Sequence, residues 1–310
     1  MRIAVLDDYQ NVARRFADWS SLETRAEITI FNDHLRDEDA VVERLAPFEI
    51  VCVMRERTPL TAAILGRLPR LRLICSTGPR NASIDVATAE ARGVPVLHTR
   101  YSSRSTIELT WALILAGMRD LVGEANSLRA GGWQRSVGSG LAGRTLGLLG
   151  LGNIGAEVAR IGSAFGMRPI AWSHNLTAER AREVGAERVE RDELFRQSDV
   201  LSVHLVLGER SRGLVGAPLL ALMKPSALLV NTSRGPIVDE AALIAALSGK
   251  RIAAACLDVF DVEPLPAEHP WRTLPNVLAT PHIGYVSEEI YRLFYEDTVS
   301  NIRNWLDASG

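Results

Sequence analysis

The chain has 310 residues, a formal net charge of −2 at pH 7, 47% apolar residues and 23% charged ones. That length suits two domains with sizeable cores. The near-neutral balance gives no electrostatic case for nucleic acid or an anionic membrane as partner.

The opening MRIAVLDD reads at once as a strand, with no basic-then-apolar leader before it. RIAVLD, EITIF, EIVCVM, LRLICS and VPVL follow one another as short β-rich runs, separated by helical patterns such as DEDAVVERLA and LTAAILGRL. That alternation predicts parallel α/β units. A helix is expected from SSRSTIELTW, where Ser105 and Glu108 have capping-box spacing. Its apolar run IELTWALILAGM is too short for a bilayer and fits a buried helix or a dimer contact. RAGGWQRSVGSGL reads as a surface loop. A second strand series follows: TLGLLG, RPIAW, DVLSVHL, ALLVNT, IAAACLD and NVLAT. These are continuous apolar runs, as in a sheet covered on both faces. SEEIYRLFYEDTVSNIRNWLD closes the chain as one amphipathic helix. Cys52, Cys75 and Cys256 sit in apolar runs without metal spacing. They read as core thiols of a reducing compartment, which places the protein in the cytoplasm.

Gly150-Leu151-Gly152-Asn153-Ile154-Gly155 lies between an apolar strand and a helical pattern. In that context the G-x-G-x-x-G spacing predicts a dinucleotide pyrophosphate turn. The first glycine allows the tight turn, the second lets backbone approach phosphate, and the third lets helix and strand pack closely. The helix N-terminus adds free N–H groups and a positive partial charge. The next strand ends at Ser173-His174-Asn175, where an NAD-selecting acid would repel a 2′-phosphate. No acid stands there. Ser173, His174 and Asn175 can donate hydrogen bonds to a phosphate, and Arg180 or Arg182 lies one turn on. The pattern admits NADP or NAD and leans to NADP; a solvated turn with weak selectivity is the alternative.

Three later stretches carry chemistry. LLVNTSRGPIVDE places Arg234 just past a strand, ACLDVFDVEP places Asp258 and Glu263, and VLATPHIGY places His282. All stand at the C-terminal ends of expected parallel strands, the edge where open α/β sheets bind ligands. Arg offers a fork for a carboxylate. His passes a proton near neutral pH, and a neighbouring Glu favours imidazolium and fixes its tautomer. With a nicotinamide as hydride carrier, the set suits reduction of a 2-oxo acid to a 2-hydroxy acid.

LGLLGLGNIG, MKPSALLVNTSRGPIVDEAAL, LDVFDVEP and TPHIG, in that order, resemble the D-isomer-specific 2-hydroxyacid dehydrogenases, in particular their glyoxylate and hydroxypyruvate reductases. The resemblance implies an α/β fold of two domains. A Rossmann cofactor domain (99–282) is inserted into a flavodoxin-like substrate domain (1–98 and 283–310), with the active site in the cleft. It implies that Arg234 binds and polarises the oxo acid, that His282 donates the proton and that Glu263 is its partner. Asp258 resembles the residue that holds the nicotinamide carboxamide. Thr232, with Ser233 beside it, borders the nicotinamide, Thr106 resembles a phosphate contact, and His204 lines the cofactor. VMRERTPLT matches a stretch whose basic residues face the substrate, which makes Arg55 and Arg57 candidates. STGPRNASID matches a loop whose backbone N–H groups clasp the substrate carboxylate. Gly78 is kept there, while Pro79 and Arg80 depart from the pattern. Arg80 either adds charge to the cleft or points to solvent. Tyr285 either shapes the pocket or packs at the domain seam. The resemblance also implies a homodimer formed through the cofactor domains, which the TWALILAGM helix would suit. Two rivals remain: a related enzyme with formate or phosphite as donor, and a dinucleotide-sensing protein like the corepressors that share this fold.

Overall fold

A computed structural model describes residues 1–309. It divides into two compact units. One comprises Met1–Ser102 and the segment from Val286 onward; the other is Ser103–Tyr285. The sequence had placed these changeovers at 98/99 and 282/283.

The first unit is built on a parallel sheet of five strands: β1 (Arg2–Val5), β2 (Glu27–Ile30), β3 (Ile50–Val53), β4 (Leu73–Ser76) and β5 (Val96–His98). Their order is β2-β1-β3-β4-β5, the flavodoxin-like doubly wound order. IVCV of β3 and LICS of β4 are buried throughout, as their central places require. Side chains cap three of the crossover helices. Asp37 accepts from the Ala40 N–H, Thr61 from Ile64 and Asp85 from Thr88, each replacing a partner that a helix start lacks. The last helix, Glu288–Ser309, packs on this unit. Tyr291 meets Phe16 edge-on with centroids 6.2 Å apart, and Phe294 is fully buried.

The second unit carries a parallel sheet of seven strands: β6 (Thr145–Leu149), β7 (Arg168–Trp172), β8 (Glu187–Arg188), β9 (Val200–Val203), β10 (Leu228–Asn231), β11 (Ala254–Leu257) and β12 (Val277–Ala279). The order is β12-β11-β10-β9-β6-β7-β8. It is the Rossmann order with one strand added beyond β11, and its winding reverses between β6 and β9. Two cores cover the two faces. Leu149, Ile170, Leu201, Val203 and Leu229 point into one, with Phe195 at its centre. Leu146, Leu148, Ala171, Val200 and Val230 point into the other. Adjacent residues of each strand thus enter opposite cores, which is why the strands read as unbroken apolar runs.

One expectation is corrected. The helix Arg104–Arg119 follows Ser103, and its start has no side-chain cap. Ser105 is its second residue, so it cannot act as the cap of a capping box. The apolar face of the same helix is already used. Trp111, Leu113 and Ile114 are buried in the second core, and the Cys256 thiol donates to the Leu113 carbonyl at 3.4 Å. All three cysteines are buried and free. Cys52 and Cys75 are register partners; the Cys75 side chain and burial push the Cys52 thiol well up. No helix among the described residues is long and apolar enough to cross a membrane.

Phe195 is 0% exposed. Phe195→Ala is expected to remove about 3–5 kcal/mol of stability through the cavity it leaves. Urea unfolding checks this: an unchanged midpoint would contradict the packing described.

Candidate active site

β6 delivers the chain into the glycine turn at the point where the strand order reverses. Gly150 has φ +106°, and its N–H donates to the Trp172 carbonyl at 2.8 Å. A Cβ there would lie 2.7 Å from the His204 backbone, so residue 150 must be glycine on both counts. A Cβ on Gly155 would lie 2.2 Å from the Gly150 carbonyl oxygen. Gly152 starts the helix Asn153–Ala164; no side chain caps that start, and a Cβ on Gly152 would meet nothing within 4 Å. The helix therefore begins with backbone N–H groups that no side chain caps, the donor set a pyrophosphate needs. The turn fits a dinucleotide.

Beyond β7, the His174 ring lies 4.9 Å from the Trp172 ring. Ser173 is partly buried, and His174 and Asn175 are exposed. Arg180 is paired with Glu183 at 2.7 Å and Arg182 with Glu179 at 3.0 Å, all exposed. His204 stands just past β9 and backs the glycine turn. Its N–H donates to the Leu149 carbonyl, and its Nε2 lies 2.9 Å from the Ser202 hydroxyl. Although its surface is only partly covered, desolvation of the ring pushes it down to about 4. His204 is thus a neutral ring at physiological pH.

The turn after β10 presents Thr232, Ser233 and Arg234. The Asn231 side chain anchors this turn, accepting from the Ser233 N–H at 3.0 Å and donating to the Arg234 carbonyl at 3.0 Å. Ser233 donates to the Leu205 carbonyl, and Arg234 Nη1 donates to the Ser233 carbonyl at 2.8 Å. A Cβ on Gly235 would lie 2.2 Å from the Phe260 carbonyl carbon. The arginine turn is therefore seated directly on the loop that follows β11. Thr232 is buried, with its hydroxyl 2.8 Å from that of Thr110, which donates to the Thr106 carbonyl. The Thr106 hydroxyl donates to the Gly284 carbonyl at 3.1 Å, placing it beside the histidine loop.

Asp258 ends β11 and is 1% exposed. Its Oδ1 accepts from the Thr280 hydroxyl at 2.6 Å and the Ile283 N–H at 2.8 Å, while Oδ2 accepts from the Gly284 N–H at 2.8 Å. Burial pushes this carboxyl up against the pull of those donors. Asp258 thus clamps the loop that carries His282. His282 itself has φ +52° and donates its backbone N–H to the Thr280 carbonyl. A non-glycine residue in that region stores strain, as functional residues often do. Its Nδ1 lies 2.5 Å from Glu263 Oε2, and Glu263 Oε1 accepts from the Phe260 N–H at 2.9 Å. The side chains are 23% and 32% exposed, so the pair is reachable. The Tyr285 ring stands edge-on to the imidazole, with centroids 5.5 Å apart.

The second unit therefore brings Arg234, Asp258, Glu263 and His282 to adjoining loops at one sheet edge. Asp258 spends three of its acceptor positions inside the protein, a task the sequence did not suggest. Sequence reasoning also missed Thr280, two residues before the histidine, and Thr110, one helical turn after Thr106. Both spacings could have drawn notice.

The substrate candidates Arg55, Gly78 and Arg80 belong to the first unit. Arg55, past β3, has φ +52°; its Nη1 donates to the Thr77 carbonyl at 3.2 Å, and its guanidinium lies 5.5 Å from the Tyr101 ring centroid. The Gly78 N–H donates to the Thr99 hydroxyl at 2.7 Å, and Pro79 has no N–H. Neither amide is left for a carboxylate. Arg80 is exposed. Arg57 is turned inward, donating to the Asp7 carbonyl at 2.7 Å with its guanidinium 4.3 Å from the Tyr9 ring centroid.

Residues 111–284 match the family described as D-isomer specific 2-hydroxyacid dehydrogenase, NAD binding domain. A glyoxylate reductase of Aeropyrum pernix is 43% identical over 236 residues, 73% of this chain and 70% of that one. A hydroxypyruvate reductase of Thermotoga maritima is 37% identical, over 87% of this chain and 89% of that one. The crystal structure of a phosphoglycerate oxidoreductase from Vibrio cholerae O395 superposes with a TM-score of 0.94 at 40% identity, covering 99% of each chain. With that glycine turn and that histidine–carboxylate pair in its second unit, this chain belongs to the D-isomer-specific 2-hydroxyacid dehydrogenases and is an oxidoreductase with an NAD(P)-binding Rossmann domain.

Proposed function

We propose that the enzyme reduces a small 2-oxo acid, of the glyoxylate or hydroxypyruvate kind, to its D-2-hydroxy acid, with His282 as proton donor. The observation that carries this reading is the 2.5 Å contact between His282 Nδ1 and Glu263. It commits one ring nitrogen to the carboxylate and leaves Nε2 to give a proton to the substrate oxygen. A bound nicotinamide supplies the hydride. Arg234 draws the substrate's carboxylate and carbonyl and meets the negative charge that develops on the oxygen. Asp258 keeps the His282 loop in register. Gly150, Gly152, Asn153, Ile154 and Gly155 hold the pyrophosphate. Thr106, His204, Thr232 and Ser233 border the rest of the cofactor site, and the neutral His204 adds no positive charge there.

Among the first unit's residues, Arg55 is favoured for the substrate carboxylate, since Gly78 and Pro79 offer no free amide. This gives the first unit the substrate role and the second the cofactor role. NADPH is favoured over NADH because Ser173, His174 and Asn175 supply donors and no acid. A homodimer is supported by the helix Leu121–Arg129, which has no buried residue, together with exposed Leu128, Trp133 and Val137. That arm, rather than the buried TWALILAGM helix, is the apolar surface available to a second copy. The three free thiols fit a reducing cytoplasm. A cofactor sensor without turnover has no use for the Glu263–His282 pair, and formate or phosphite, as a hydride donor, presents no ketone or aldehyde oxygen for a proton donor to serve.

His282→Ala is expected to slow turnover by roughly two to four decades, and near-normal turnover across neutral pH would refute the assignment. Glu263→Gln replaces the carboxylate that holds Nδ1 with an amide, so turnover should fall about 10- to 100-fold, the cost of a small misplacement; an unchanged rate would reject the pairing.

Absorbance at 340 nm should show faster glyoxylate or hydroxypyruvate reduction with NADPH than with NADH at matched low concentration. Faster NADH turnover would locate cofactor choice outside Ser173–Asn175.

Light scattering on the eluting full-length chain should give twice the monomer mass, and Trp133→Asp with Val137→Asp should shift it toward monomer. A monomeric native chain would dismiss the arm as an interface.

A further inference from the structure

The contact between His282 and Tyr285 raises a question that the proton-donor reading leaves open: what fixes the plane of the imidazole? The backbone at His282 is fixed by its left-handed φ of +52°, by its bond to the Thr280 carbonyl and by the Asp258 clamp on Ile283 and Gly284. The side chain is held by less. Its polar contact, Nδ1 to Glu263 Oε2, is a single point. A ring tethered at one nitrogen can swing about that contact, and Nε2, on the far side of the ring, swings furthest.

Tyr285 supplies the second point. Its ring centroid lies 5.5 Å from that of the imidazole at an interplanar angle of 73°, within the preferred edge-to-face range for ring pairs. Tyr285 is itself 5% exposed, so it is a fixed wall with little ring surface left for a substrate to touch. We propose that Tyr285 is a positioning residue for the proton donor: its ring sets the imidazole plane, and so the direction in which Nε2 presents its proton. The proposal rests on the reading of His282 as donor. It assigns Tyr285 a task different from recognising the substrate's side chain or filling a seam. The aromatic ring does this work, so phenylalanine should serve as well as tyrosine.

The test uses the full-length chain and single-turnover oxidation of reduced cofactor at 340 nm. Tyr285→Leu and Tyr285→Phe are compared in the native and His282→Ala backgrounds. The acceptors are glyoxylate, which has no side chain, and hydroxypyruvate, which has one. Tyr285→Leu should slow hydride transfer about 10- to 100-fold, the cost of a small misplacement. The loss should be equal for both acceptors and leave KM nearly unchanged. Tyr285→Phe should restore the rate. In the His282→Ala background Tyr285→Leu should cost nothing more, because two residues acting through one group are not additive. An undiminished rate in Tyr285→Leu overturns the proposal. So does a KM effect confined to hydroxypyruvate, which would make Tyr285 a substrate contact. The same loss in both backgrounds also overturns it and reduces Tyr285 to packing. If His282→Ala alone keeps normal turnover, the proton-donor reading has failed, and the proposal fails with it. Should Tyr285→Leu melt early, Tyr285→Met fills similar space without a ring and takes its place.

Discussion

The second unit's chemistry depends on one buried carboxylate. Asp258 is 1% exposed, and a charge in that position is costly unless donors surround it. Three do: the Thr280 hydroxyl and the N–H groups of Ile283 and Gly284. Hydrogen bonds to a charged group contribute about 1.5–3 kcal/mol each, enough to offset much of the desolvation. The same three bonds bend residues 280–284 around the carboxylate and oblige His282 to adopt φ +52°. The strain at the histidine and the satisfaction of the aspartate are therefore one arrangement. The strained residue is the one whose side chain points toward Glu263.

A second constraint is the closeness of the backbones behind these loops. Gly235 leaves no room for a Cβ against Phe260, and Phe260 in turn donates its N–H to Glu263. Arg234 and Glu263 are thus placed by adjoining segments of chain. Along the same sheet edge the logic repeats, with Gly150 pressed on the His204 backbone and Gly155 on the Gly150 carbonyl. Rigid backbone contacts set the distances; side chains then need few bonds to hold their aim.

Much of this was legible in the sequence. Short β-rich and apolar runs give eleven of the twelve strands clear signatures, because strands of a covered parallel sheet admit little else. The glycine turn was legible because its context was local: a strand before, a helix after. What escaped was either too short or too distant. β8, Glu187–Arg188, has two polar, exposed residues and no periodicity to read. The Ser105–Glu108 spacing suggested a cap two residues too late, since Ser103 already precedes the helix and spacing alone does not fix its first residue. The apolar helix Arg104–Arg119 could be core or interface by pattern, and only its contacts with the second core decide. The inward bonds of Asp258 connect residues more than twenty positions apart, which no local window sees.

Two of the second unit's histidines, His204 and His282, show how one fold gives the same residue type opposite surroundings. His204 is partly covered, with a serine hydroxyl as its ring partner, and desolvation of the ring pushes it down to about 4. No charge is available there to hold a proton on the ring. His282 lies at a surface still 23% open and has a carboxylate against Nδ1. The first environment withholds a counter-charge and the second supplies one. That division depends on burial and on one well-placed glutamate, both of which follow from the loop geometry after β9, β11 and β12. A histidine at each position is therefore not interchangeable with the other, although both stand at the C-terminal ends of neighbouring parts of the same sheet.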